Sequence, residues 1–388
     1  MDAASVTPSP SAPRTRLYLV PGMFGFARLA GLEYMEHLER ALAERFQARG
    51  RAIEMYVVDV HPSASVRRRA SDLARLLDET CGDDDGPIHL LGHSLGGLDV
   101  RLVASPGAQL LDRPPGGERP WHGRLRSATT LNSPHYGSPG GAFFATSQGQ
   151  RILYAVSAIT LVSLRLGSPP LAITSALVAT LGRIRERAGI EVRLIERLIE
   201  MLERTLDEDS RREIRHWLAR VRDDQGGIVQ LAPEAMDLFD AGVVNAPHVR
   251  YQCVAAYAPD RWARPELRDL GRPWVPLSGV VFRFLHRIAA AESARYPCAP
   301  PDGGEGKLRA ALGHVPPPGA NDGMVPLRSQ LWGDLVWVGQ GDHLDVIGYF
   351  DDPPEHRDWL TSGSGFDRTR FAHMMDAVVD GMVAGEGG

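Results

Sequence analysis

The stretch LLGHSLGGLDVR, residues 90–101, constrains the fold of this chain more than any other. It sets Ser94 between Gly92 and Gly96, directly after the apolar run 88–91 and directly before the apolar stretch 95–103. A strand that feeds a helix through G-x-S-x-G requires a sharp elbow. The serine there takes a strained backbone conformation, and the flanking positions carry no side chain where strand and helix approach. A plain glycine turn explains neither the apolar run before it nor the additional Gly97. The elbow lifts the Ser94 hydroxyl out of the sheet. It also leaves the Leu95 amide at a helix N-terminus, where a developing negative oxygen is stabilised.

Around the elbow, short apolar runs alternate with amphipathic stretches. Residues 17–20 (LYLV), 55–60 (MYVVDV), 88–91 and 128–131 read as buried strands. Residues 32–49 place Leu32, Met35, Leu38, Leu42 and Phe46 near one helical face, and Gly50 ends the run. Residues 70–77 read as a short helix with Leu73, Leu76 and Leu77 inward, and the arginine run at 66–69 as a solvated helix face. This rhythm predicts an α/β fold, a mostly parallel sheet with helices on both faces.

The rhythm breaks at Pro139. Residues 140–226 offer helix only, and read as a cap inserted into a core formed by residues 16–139 and 227–388. Within the cap, residues 152–164 and 171–181 are almost wholly apolar, but each is shorter than the roughly 20 residues that span a bilayer. Residues 191–206 form an amphipathic helix. The sheet resumes at 249–258 and 335–338, with a Pro/Gly-rich loop at 297–319 between them.

A net charge of −5 offers no basic surface for nucleic acid, and 43% apolar with 23% charged residues is ordinary for a soluble globular chain. Residues 1–15 are polar and rich in Ser and Pro, a disordered leader without the apolar centre of a secretory signal; a cytoplasmic location is expected. Cys81, Cys253 and Cys298 show no metal-ligand spacing. Free buried thiols are expected, with a Cys253–Cys298 disulfide as the alternative.

A serine hydroxyl needs a base. Of thirteen histidines, His343 in GQGDHLDVIGYF stands just past the last strand, on a loop. His93 lies inside the elbow and is expected to point away from Ser94. The base needs an acid to orient it. Asp322, in the turn NDGMVP, is one candidate, and Asp260 at the tip of the 249–258 strand is its rival. The loop VPGMFGF after the first strand offers a second oxyanion donor, the Met23 amide, unless it is a simple glycine turn. Phe24 and Phe26, with Phe143 and Phe144 from the insertion, are candidates to line a pocket for an acyl chain; the apolar helices of the insertion face either that pocket or one another.

With these residues in place, the chain resembles the α/β-hydrolase superfamily, and within it the bacterial triacylglycerol lipases of the Pseudomonas and Burkholderia type. LYLVPGMFGF, GHSLGGLDVR, TTLNSPHYGSP, LAPEAMDLF, NDGMVP and DHLDVIGYF match that family's landmarks in order. The resemblance implies Ser94, Asp322 and His343 as a catalytic triad, Met23 and Leu95 as oxyanion donors, and a mobile helical lid. It implies a serine ester hydrolase acting on lipid or small ester substrates, with transient contact to a lipid interface through the cap. An acyltransferase or polyester depolymerase would use the same triad, and a non-catalytic binding protein is the reading from another class. Pro21 departs from the family's His before the oxyanion glycine. No cofactor is expected: the family's structural calcium would involve Asp345, but Tyr349 replaces a glutamine ligand, and losing one ligand of a hard-cation site weakens it.

Overall fold

In the computed structural model the described residues are 14–29, 32–111, 119–166, 207–260, 272–291 and 293–387, with scattered positions between 171 and 204. In chain order the strands are β1 Thr15–Val20, β2 Arg28–Leu29, β3 Leu32–Glu33, β4 Ile53–Val57, β5 Ile88–His93, β6 Leu125–Leu131, β7 Arg250–Tyr257 and β8 Asp334–Gln340. The described helices are α1 Glu36–Ala48, α2 Val66–Thr80, α3 Leu95–Ala104, α4 Pro139–Phe144, α5 Ser147–Leu166, α6 Glu208–Asp223, α7 Gly226–Gln230, α8 Pro233–Gly242, α9 Val275–Ala289, α10 Glu305–Leu312 and α11 Arg368–Gly385.

Six strands form one parallel sheet in the order β4–β1–β5–β6–β7–β8, while β2 and β3 pair as a separate hairpin. The period of two in β1 sets the layers. Leu17 and Leu19 enter a core shared with Leu38, Leu42 and Phe46 of α1 and Met374, Val378 and Met382 of α11. Tyr18 and Val20 enter the opposite core, with Leu73 and Leu77 of α2 and Val100 and Val103 of α3. Both faces are covered, as a parallel sheet requires. The strand from which the elbow springs, β5, lies inside the sheet between β1 and β6.

Several boundaries differ from expectation. The helix expected from Leu32 starts at Glu36, because Leu32 and Glu33 pair with Leu29 and Arg28. The strand expected over 55–60 occupies Ile53–Val57. The helix expected over 70–77 extends back to Val66, where the Ser65 hydroxyl caps it by accepting from the Arg68 amide. Arg69 is not solvated: it is fully buried, one turn before Leu73 on the inward face of α2. The Pro/Gly-rich loop at 297–319 contains α10, bounded by Gly304 and Gly313, both left-handed. All three cysteines are buried and none is disulfide-bonded, which removes the Cys253–Cys298 disulfide.

From 139 onward the described segments of the insertion are helical. Ile152, Leu153, Val156 and Ile159 of α5 pack on Phe282 and Leu285 of α9 and on Trp359 and Leu360. Trp217 of α6 meets Phe24 edge to face at 6.3 Å between centroids. Leader residues 1–13, the stretch 191–199, and most of the stretches 171–181 and 200–206 lie outside the described residues. Among the described residues no helix is long and apolar enough to cross a membrane.

Candidate active site

Ser94 sits at the junction of β5 and α3 with φ 55° and ψ −124°. Its amide donates to the Leu131 carbonyl at 2.8 Å, which anchors the elbow to β6. A left-handed backbone at a serine is held only where the surroundings over-determine it, and the glycines supply that constraint. A methyl on Gly92 would lie 2.2 Å from the Gly96 carbonyl oxygen, and one on Gly96 would lie 2.3 Å from the Val20 carbonyl oxygen. A methyl on Gly97 would lie 2.0 Å from Ser133 Oγ.

The loops after β7 and β8 bring the other two residues to Ser94. His343 Nε2 lies 2.9 Å from Ser94 Oγ, and Nδ1 lies 2.7 Å from Asp322 Oδ2. With the hydroxyl donating to Nε2, Nδ1–H donates to the carboxylate. Asp322 is fully buried, and its Oδ1 accepts from the Met324 amide at 2.9 Å and the Val325 amide at 2.7 Å. The His343 amide donates to the Asp322 carbonyl at 3.0 Å, so backbone as well as side chain ties the two loops. Asp260, the rival acid, is exposed and faces Arg283 at 3.8 Å.

The loop after β1 closes on the same point. A methyl on Gly22 would lie 2.9 Å from Ser94 Cβ, so the backbone preceding Met23 runs against the serine. Phe24 holds a left-handed φ of 61° and donates its amide to the Pro62 carbonyl at 2.8 Å. Leu95 is the first residue of α3, so its amide lies in the uncapped first turn.

A cavity of about 80 Å³ opens at Ser94 and His343. Phe24 and Phe26 line it, together with Met23, Tyr34, Leu153 and Trp359. Phe143 and Phe144, expected there, do not line it. They pack edge to face on each other at 5.1 Å, and Phe143 on Phe284 at 5.9 Å, because α4 runs beside α9 rather than over the serine. The apolar stretch 152–164, a candidate for this wall as a whole, faces the cavity through Leu153, Val156 and Thr160, which α5 contributes at helical spacing. That spacing within the apolar run was the available signal.

His93 does more than point away. Its Nε2–H donates to the His343 carbonyl at 2.9 Å, and the two rings stand 4.8 Å apart. Full burial, with His343 beside it, pushes His93 well below the usual histidine range. It is therefore a neutral ring that braces the backbone of His343.

Behind His343 lie three carboxyls, the buried Asp342 and Asp345 and the half-buried Asp358. Burial pushes Asp342 up to about 6. Asp345 and Asp358 stand well above the usual range, through burial first and then through the Asp342 carboxyl. The calcium ligands that the family resemblance implies do not fit here. Asp345 Oδ2 already accepts from the Asp342 amide at 2.7 Å and the Ser364 hydroxyl at 2.8 Å, while the Tyr349 hydroxyl donates to the Tyr34 carbonyl at 3.0 Å. Among the described residues no group of three or more His, Cys, Asp or Glu is arranged to hold a metal ion.

The segment after His343 rests on a titratable ring. His37 is buried 4.6 Å from the His356 ring and edge-on to Tyr349 at 5.3 Å, and the Arg40 guanidinium donates to its Nδ1 at 3.1 Å. Burial, then His356 and Arg40, push it down to about 4. The unfolded chain therefore binds this proton near 6.5 and the folded chain only near 4. Stability from this group is complete above 6.5 and is lost as pH falls toward 4. His37→Gln should flatten the fall in Tm across that window relative to wild type, by roughly a few degrees. Parallel melting curves from pH 7 to pH 4 check this, and an unchanged difference between the two proteins would exclude His37 as a contributor.

A parallel sheet covered by helices on both faces, with an interior strand that ends in a G-x-S-x-G elbow and with Asp322 and His343 on later loops, is the α/β-hydrolase fold. No family model matches the sequence. A triacylglycerol lipase from Vibrio cholerae is 31% identical over 93 residues, which is 24% of this chain and 28% of that protein. The matched segment thus spans little more than a quarter of the relative's length. Among solved structures, a metagenomic carboxyl esterase superposes with a TM-score of 0.49 at 15% identity, over 96% of this chain and 77% of that one. EstA from Clostridium botulinum gives 0.49 at 17%, over 94% and 87%, and the Staphylococcus hyicus lipase 0.49 at 14%, over 98% and 99%.

Proposed function

We propose that the protein is a serine carboxylester hydrolase of the lipase and esterase class. The reading rests on one observation, the continuous Ser94–His343–Asp322 hydrogen-bonded chain opening into an apolar cavity. His343 takes the Ser94 proton as Oγ attacks the ester carbonyl. The amides of Met23 and Leu95 hold the oxyanion, and His343 then gives the proton to the departing alcohol. Water, deprotonated by the same imidazole, attacks the acyl-enzyme; the acid leaves and Ser94 regains its proton. Asp322 fixes the imidazole tautomer and stabilises the transient imidazolium.

Lipid-like esters are the proposed substrates, because Leu153, Val156 and the aromatic rings give the acyl group an apolar wall. A volume of about 80 Å³ with α5 over it suits a short acyl group; a long chain would require α5 to move. Turnover of p-nitrophenyl esters from acetate to palmitate, with and without stoichiometric fluorophosphonate, tests the reading. A fluorophosphonate-sensitive peak at butyrate to hexanoate is expected. Absence of hydrolysis in a protein that still labels, with acyl transfer to an added alcohol or release from a polyester, would replace hydrolysis of small esters by those reactions. Absence of labelling as well would leave a binding protein.

A further inference from the structure

We propose that Arg69 and Asp99 are positioning residues that hold the Gly22–Met23 loop against Ser94. The proposal rests on the acyl-transfer reading above, since only a reaction that builds negative oxygen beside the Met23 amide senses where that loop stands.

Arg69 on α2 and Asp99 on α3 are both fully buried. Arg69 Nε and Nη2 each lie 2.8 Å from Asp99 Oδ2. Nη1 donates to the His61 carbonyl at 2.7 Å, and Nη2 to the Pro21 carbonyl at 2.6 Å. Each acceptor belongs to a different part of the site. Asp99 is on the helix that Ser94 opens. Pro21 is the residue before Gly22 and Met23. His61 belongs to the loop whose Pro62 carbonyl accepts the Phe24 amide. One guanidinium therefore ties the nucleophile helix to the oxyanion loop and to the segment that braces it.

The choice of residues argues for position over stability. A buried ion pair is costly to desolvate, and apolar residues of similar volume stabilise a fold as well or better. Here the carboxylate is also incompletely satisfied: Asp99 Oδ1 has no hydrogen-bond partner among the described residues. What apolar residues cannot do is direct N–H groups at two carbonyls in fixed directions, which the planar fork of arginine does. The carbonyls it reaches flank a loop under strain at Phe24 and pressed on Ser94 at Gly22. A misplacement of about 1 Å in such a loop costs on the order of 100-fold in rate.

The test compares wild type, Asp99→Asn and the double replacement Arg69→Met with Asp99→Leu. Activity on p-nitrophenyl butyrate is expressed per fluorophosphonate-titrated site, so that only folded enzyme counts, and Tm is recorded for each. The double variant is expected to keep Tm within a few degrees while kcat falls roughly 100-fold and KM changes less than about threefold. Asp99→Asn keeps an acceptor for Nε but loses the charge, and a kcat loss of about tenfold is expected. A structural role alone would move Tm and leave kcat per titrated site in place. Wild-type kcat per site in the double variant overturns the proposal; if that variant yields no titratable sites, wild-type kcat in Asp99→Asn does so. A wild type with no Ser94-dependent ester turnover would instead remove the reading on which the proposal stands.

Discussion

Ser94→Ala is expected to lower kcat on p-nitrophenyl butyrate by about 10⁴- to 10⁶-fold while leaving the protein folded. The hydroxyl lies 2.9 Å from His343 Nε2, where the imidazole can take its proton. Removing it deletes one hydrogen bond and no packing. The elbow conformation at φ 55° is imposed by Leu131 and the glycines and not by the side chain, so alanine occupies it at similar strain. Tm should therefore stay within about 2 °C of wild type, since one hydrogen bond contributes about 1 kcal/mol. Residues that act as a unit are strongly non-additive. Adding His343→Ala to Ser94→Ala should cost no further activity, and residual turnover would come from the Met23 and Leu95 amides acting on bound water. Retention of a tenth of wild-type activity by Ser94→Ala would mean that another nucleophile carries the reaction.

Gly96→Ala is expected to abolish the fold or lower its stability by more than about 4 kcal/mol, the range reserved for overpacking that cannot relax. The added methyl would stand 2.3 Å from the Val20 carbonyl oxygen and 2.7 Å from that of Pro21. Both contacts are backbone. Val20 is the last residue of β1, paired with Gly92 in the sheet, so β1 cannot shift without breaking its register with β5. Helix α3 cannot withdraw without pulling Ser94 from His343. Gly107→Ala and Gly123→Ala serve as controls, because a methyl at either position meets nothing within 4 Å. They should stay within about 0.5 kcal/mol of wild type. Soluble yield and denaturant unfolding distinguish the outcomes, and a Gly96→Ala protein with wild-type stability would show that strand and helix are not held this close.

Both predictions begin from twelve residues of sequence, and the reason is local. An elbow is built within one short stretch, so glycine spacing and the flanking apolar runs suffice to read it. His343 and Asp322 were legible for a related reason: each lies on a loop that follows a strand, β8 and β7, whose C-terminal end must lie at the same edge of a parallel sheet as Ser94. Asp260 met that criterion too, and only its exposure beside Arg283, against the burial of Asp322 on His343, separated the two. The errors lie where a contact joins segments far apart in the chain. Arg69 reads as surface in an arginine run, although its spacing to Leu73 and Leu77 places it on the inward face of α2. Phe143 and Phe144 read as pocket residues by their bulk alone, and the direction of α4 took them to α9.

Sequence alone determined the layered α/β architecture, the elbow and the candidate nucleophile, base and acid, because these depend on periodicity, on glycine where a Cβ cannot stand and on strand ends that share one edge. Tertiary structure alone decided which side chains wall the cavity, that His93 braces His343, and that a buried arginine spans α3 and two loops. Those contacts depend on how helices cross and on which donors face which carbonyls, and hydrophobic pattern carries no record of either.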